Sequence, residues 1–121
     1  IKPKQFDQNK IKDELILKRA RHVITENARV LEAKGCILNK DIKSFGKLMN
    51  ESHQSYAKDF EASTEDVDLI IERSNVSGAE GARLTGGGFG GFTVSLIHKS
   101  NYYEWKTNMS KYYDNKNIFE V

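Results

Sequence analysis

Gly81-Ala-Arg-Leu-Thr-Gly-Gly-Gly-Phe-Gly-Gly-Phe-Thr-Val94 is the stretch whose reading decides the fold. Ala82 to Thr85 reads as short and extended. Phe92 to Ile97 alternates β-branched, aromatic and polar residues, the pattern of a strand. Between them stand five glycines around Phe89. Glycine in a packed element is unfavourable by about 0.5–1 kcal/mol relative to Ala, so such a run is poorly explained as filler. It lets the backbone take positive φ and lets another group approach closely. Consecutive N–H groups in such turns also form a nest for anions, phosphate being the common client. A flexible hairpin loop without a ligand is the plain alternative, and both readings stay open on composition alone.

Upstream of this hairpin the periodicity is helical. From about Ile11 to Lys34, the residues Ile16, Ala20, Val23, Ile24, Asn27 and Leu31 form one stripe, and Gly35 is a natural terminator. A second helix is expected from about Asp41 to Asp59, with Ile42, Phe45, Leu48, Met49, Tyr56 and Phe60 as its apolar stripe and Asn39 or Asp41 as its cap. A third begins near Ser63-Thr64, where Ser63 and Asp66 resemble a capping box, and buries Val67, Ile70 and Ile71 before Gly78. Beyond the hairpin, Ser100 is expected to cap a last helix with Tyr102, Trp105, Met109 and Tyr112 on one face. Ile118 to Val121 reads as a final strand. The class is α+β: a small antiparallel sheet with helices packed on one face.

The chain has 121 residues, which suits one domain over 1–121 with one core. It opens on Ile1 rather than on methionine and reads as a piece of a longer protein. Nineteen Lys and Arg against seventeen Asp and Glu leave a net charge of +2, interspersed along the chain. With no basic face and no Arg-Gly-Gly repeats, a nucleic-acid partner is not expected. No apolar run approaches the roughly 20 residues of a membrane span, and no secretory signal is present, so no membrane association and a cytoplasmic setting are expected. A lone cysteine, Cys36, excludes an internal disulfide framework and a Cys-rich zinc site.

The glycine run fits the familiar phosphate loops badly. Gly86, Gly88 and Gly91 satisfy G-x-G-x-x-G by count, but a dinucleotide fold needs a helix after the loop, and a strand follows here. Gly91-Phe92-Thr93 lacks the lysine of a P-loop. The His-Arg-Asp and Asp-Phe-Gly motifs of protein kinases are absent.

Arg83-Leu-Thr-Gly-Gly-Gly-Phe-Gly-Gly91 resembles the third signature motif of the GHMP small-molecule kinases, in the form used by galactokinases. Lys18-Arg-Ala-Arg-His-Val-Ile-Thr-Glu-Asn-Ala-Arg29 is similar to a helix of that family. Phe45-Gly-Lys-Leu-Met-Asn-Glu-Ser-His53, Asp59-Phe-Glu-Ala-Ser63 and Asp68 follow in the family's order and spacing. The match runs from about Leu17 to Ile97. Phe92 stands where the family commonly has Cys, Ala62 where Val is usual, and Leu84 where Met is usual; all three exchanges are apolar.

The resemblance implies a GHMP kinase C-terminal domain of an enzyme that moves the γ-phosphoryl of ATP to the 1-hydroxyl of galactose, with Mg²⁺. It places the sugar segment, the Gly/Ser-rich phosphate loop and the catalytic Asp and Arg upstream, in an N-terminal lobe that would bind most of the ATP and Mg²⁺. No catalytic residue and no metal site are therefore expected in this chain, which alone should be inert. Thr85, Gly86, Gly87, Gly88, Phe89, Gly90 and Gly91 become the loop close to phosphate and substrate, with Arg83 and Ser63 as accessory candidates. Galactose, ATP and the N-terminal lobe are the implied partners. Separated from that lobe, the domain should expose apolar surface and self-associate. Another GHMP sugar kinase, such as one acting on N-acetylgalactosamine, shares these motifs, and so does a catalytically silent sugar sensor.

Several of these residues also have plain structural readings. Arg83 would pair with a carboxylate, and Ser63 would cap a helix. His53, beside Ser52, would be a core-edge histidine bonded to backbone. Glu26, Asn27 and Arg29 would form an interhelix network, Cys36 would be a small buried residue, and Trp105 would pack in the core. His22 and His98 have no ligand partners at metal spacing.

Overall fold

The computed structural model describes residues 12–85 and 91–121. In chain order these form α1 (Glu14–Leu38), α2 (Ile42–Lys58), α3 (Glu65–Val76), β1 (Gly81–Thr85), β2 (Phe92–Leu96) and α4 (Tyr102–Met109), with 3-10 turns at Lys99–Asn101 and Asn115–Asn117. β1 and β2 pair antiparallel, with Gly81 opposite Leu96 and Thr85 opposite Phe92. The α+β class therefore holds, with the glycine run joining the two strands.

Side-chain caps open the first three helices. Asp13 accepts from Ile16 N at 3.1 Å, Asp41 from Ser44 N at 3.1 Å, and Thr64 from Val67 N at 3.2 Å. Each satisfies an N–H that has no partner within its own helix. Glu65, Asp66 and Asp68 add negative charge in the first turn of α3, where the helix dipole favours it.

Opposed residues of an antiparallel pair share a face. Ala82 and Leu84 therefore share theirs with Ser95 and Thr93. Ala82 and Leu84 are buried with Val67 and Ile71 of α3, and Tyr56 of α2 packs against the cluster. Ser95 reaches Ser74 Oγ at 2.7 Å, and the buried Trp105 donates its indole N–H to the same hydroxyl at 3.0 Å. The hairpin, α3 and α4 are thus tied through one serine, and Trp105 is a core residue as expected.

α2 meets β1 backbone to backbone. A Cβ on Gly46 would collide with the Glu80 carbonyl, and one on Gly81 with the Gly46 carbonyl. Only glycine at both positions permits this approach.

Several expectations need correcting. The apolar stripe read along α1 faces outward: Ile16 is 58%, Val23 52% and Leu31 71% exposed, and Asn27 is exposed as well. α1 instead turns its His22 and Glu26 side toward Ser55 and Ser52 of α2, and only Ile24 of the stripe is buried. The outward residues Leu15, Ile16, Ala20 and Val23 line an apolar groove. Gly35 does not end α1, which runs on to Leu38 because Lys40 takes the left-handed conformation at φ 55° and Asn39 N bonds Gly35 O at 3.0 Å. Thr64, not Ser63, caps α3, since the Ser63 hydroxyl is engaged by Asp68 at 2.7 Å. His98, not Ser100, caps the turn before α4. Residues 118–121 form no strand; Phe119 lies open at 72% exposure. Cys36 is half-buried rather than buried.

Candidate functional site

Two polar arms converge on β1 immediately before the glycine run. The first comes from α2. Asn50 Oδ1 accepts the Ala82 N–H at 3.0 Å, and His53 Nδ1 accepts the Leu84 N–H at 3.2 Å. Asn50 and His53 lie one helical turn apart, so both project toward β1. Alternate N–H groups of a strand point to one side. The two side chains thus occupy the free edge of β1 as a neighbouring strand would. His53 Nε2 lies 2.8 Å from Asp68 Oδ1, which also accepts the Ser63 hydroxyl at 2.7 Å. A ring accepting at Nδ1 carries its proton on Nε2, so Nε2–H donates to Asp68.

The second arm comes from α1. Glu26 Oε1 accepts from Ser52 Oγ at 2.5 Å and from Arg83 Nη1 at 3.3 Å, and Glu26 Oε2 accepts from Arg29 Nε at 2.9 Å. Arg83 Nε also donates to the Leu84 carbonyl at 3.0 Å. Leu84 is therefore held at its N–H by α2, at its carbonyl by Arg83, and at its side chain by the core.

Burial pushes the Glu26 carboxyl up, but the Ser52 and Arg29 hydrogen bonds and the Arg29 and Arg83 charges outweigh it and hold the group below its ordinary range. His22, whose Nδ1 lies 2.9 Å from Ser55 Oγ, is held below its ordinary value chiefly by burial, with Arg29 and Arg83 adding to the effect and Glu26 and Asp59 opposing it. Both shifts make the fold more stable at neutral pH than in acid. A depressed Glu26 contributes fully above its unfolded value and loses that contribution as pH falls through its folded value. A depressed His22 lets the unfolded chain take up its proton first, so stability falls once pH drops below the ordinary histidine range. The urea midpoint should therefore decrease as pH falls below the ordinary histidine value, through His22, and decrease further as pH falls below the ordinary glutamate value, through Glu26. A midpoint that is flat or rises as pH falls through those ranges would contradict this.

Of the sequence candidates, Arg83 pairs with Glu26 as expected, and Thr85 stands exposed at the end of β1. Gly91 lies close to it: a Cβ there would come within 3.3 Å of the Thr85 carbonyl, so the two ends of the run sit near each other. Gly86, Gly87, Gly88, Phe89 and Gly90 lie outside the described residues. Ser63 and Arg83 are linked through Asp68, His53 and Leu84. Sequence reasoning missed the roles of Asn50 and Asp68. The signal for Asn50 was a polar residue one turn before His53 beside an apolar stripe. Asp68 was singled out only as part of the family's pattern, with no role attached. Among the described residues no group of His, Cys, Asp and Glu side chains is gathered to hold a metal ion, and no helix is long and apolar enough to cross a membrane.

Residues 33–115 match the family described as GHMP kinases C terminal. A galactokinase of Staphylococcus carnosus is 40% identical over 111 residues, covering 91% of this chain and 29% of that protein. The structure of Lactococcus lactis galactokinase complexed with galactose superposes with a TM-score of 0.79 at 30% identity, over 93% of this chain and 31% of that one. The L. major mevalonate kinase, solved with R-mevalonate, shares the fold with a TM-score of 0.69 at 18% identity, over 93% of this chain and 37% of that one. The chain thus spans well under half the length of each of these proteins.

Proposed function

This chain belongs to the GHMP kinase family, and we propose that residues 1–121 form the C-terminal domain of a galactokinase, which transfers the γ-phosphoryl of ATP to the 1-hydroxyl of D-galactose. The observation that carries the reading is the near end-to-end likeness to a galactokinase at 40% identity; the mevalonate kinase, at 18%, shares only the fold. In the reaction the sugar 1-hydroxyl gives up its proton and O1 bonds to the γ-phosphorus, as the bond to the bridging oxygen breaks and ADP departs. Such a transfer depends mostly on alignment and charge stabilisation.

In this reading the domain aligns and does not react. The run Thr85 to Gly91 lies against the phosphate and sugar. Its glycines remove Cβ obstruction and offer N–H donors to anionic oxygens. Arg83 and Ser63 act from the side, Arg83 through the Glu26 pair and the Leu84 carbonyl, Ser63 through Asp68. The catalytic groups, and the contacts to ATP and Mg²⁺, are assigned to the preceding lobe that the family resemblance implies. The outward apolar groove of α1 supports a domain that packs against further protein.

The test is ATP-dependent phosphorylation by the longer protein that contains this chain, with galactose, N-acetylgalactosamine and mevalonate offered in parallel. Galactose should be turned over with the highest kcat/KM. A preference for N-acetylgalactosamine would transfer the reading to that kinase, and binding of galactose and ATP without turnover would make the protein a sensor.

A further inference from the structure

We propose that His53 is a positioning residue for the phosphoryl-transfer loop: its Nδ1 holds the Leu84 N–H, and Asp68 holds the ring in the Nε2–H tautomer that this requires. The effect on turnover rests on the galactokinase reading above.

The chain of bonds is continuous. The Ser63 hydroxyl donates to Asp68 Oδ1 at 2.7 Å, His53 Nε2–H donates to the same oxygen at 2.8 Å, and Leu84 N–H donates to His53 Nδ1 at 3.2 Å. His53 is 2% exposed, so water does not compete for its nitrogens, whereas Asp68 is half exposed and anchors the chain at the surface. Leu84 lies two residues before Gly86, and Leu84 itself is 2% exposed. β2 and α2 hold β1 from opposite edges. Without the His53 acceptor, a buried N–H would be left unpaired one residue before the loop departs. Such a group is costly, and β1 would shift to satisfy it. Asp68 matters through the tautomer: a ring with its proton on Nδ1 would present a donor to a donor. The arrangement links the Ser63 segment to the root of the glycine run, so the two keep a fixed relation.

Two substitutions separate this role from packing. In His53→Asn the side-chain oxygen stands where Nδ1 stood and still accepts from Leu84, while the bond to Asp68 is lost. In His53→Gln the terminal amide nitrogen stands where Nε2 stood and still donates to Asp68, while the acceptor for Leu84 is lost. Asn is the smaller residue, so a packing role predicts that it does at least as much damage as Gln.

In the intact parent enzyme, His53→Gln should lower kcat about 10- to 100-fold, the scale of a misplaced aligning element, with KM for galactose changed much less. His53→Asn should retain kcat within a few-fold. Amide hydrogen exchange at Leu84 should quicken in the Gln variant and not in the Asn variant. Asp68→Ala, which leaves the ring packed but frees its tautomer, should fall between them, and it serves as the second test where a His53 variant does not fold. Equal kcat and equal Leu84 exchange in the Asn and Gln variants, or an Asp68→Ala enzyme matching wild type in both, would overturn the proposal. An inactive wild-type parent would strike the galactokinase reading instead, and the Leu84 exchange rates would then decide the role of His53.

Discussion

Gly81→Ala should destabilise the protein by roughly 3 kcal/mol or more, at the severe end of what overpacking costs. The new methyl would land on the Gly46 carbonyl, which is backbone and cannot rotate aside as a flexible side chain would. Relief requires α2 to slide away from β1. That movement lengthens the bonds from Ala82 to Asn50 and from Leu84 to His53, so the clash and the lost hydrogen bonds add. Gly46→Ala should behave alike, since its Cβ meets the Glu80 carbonyl. Gly35→Ala is the control: its Cβ meets nothing within 4 Å, and Ala is the better helix former. Urea denaturation of the three variants would show the contrast. A wild-type midpoint for Gly81→Ala would mean that the close helix–strand approach is absent.

Gly87→Ser in the parent enzyme should lower kcat/KM about 100-fold or more with little change in stability. The loss follows from the proposed role of the run. Gly87 is the middle residue of Gly86-Gly87-Gly88, and in the proposed role a Cβ and hydroxyl there would intrude on the phosphate and restrict the backbone. The ends of the run are held, with Leu84 fixed at three points and Gly91 against the Thr85 carbonyl, so the strands have little freedom to move aside. Near-normal turnover by a well-folded Gly87→Ser enzyme would remove the loop from the site.

The hairpin was legible because two different signals agree there: β-branched alternation in Phe92–Leu96 and a glycine run that no helix tolerates. The helices were legible in extent but not in orientation. Apolar periodicity marks which residues share a stripe, and the reading then assumes that this stripe is buried. α1 violates the assumption. Its polar side, through Glu26 and His22, packs on α2, and its apolar side lies open. A polar network satisfied by Ser52, Arg29 and Arg83 substitutes for an apolar contact, and periodicity carries no information about such pairing. The same limit hid the arm from Asn50 and His53. Their importance lies in which N–H groups of β1 they meet across the fold, and that depends on the helix–strand approach that Gly46 and Gly81 allow. Arg83 was legible as half of an ion pair, but its partner, 57 residues away in sequence, was not.

The most direct measurement is to assay the 121-residue chain beside its longer parent for ATP-dependent formation of galactose 1-phosphate. Turnover by the parent and none by the chain is the expected result, because in the proposed reading this domain aligns the reaction and supplies no reacting group. Turnover by the purified chain alone would contradict the account at its centre, since a catalytic residue would then lie within Ile1 to Val121.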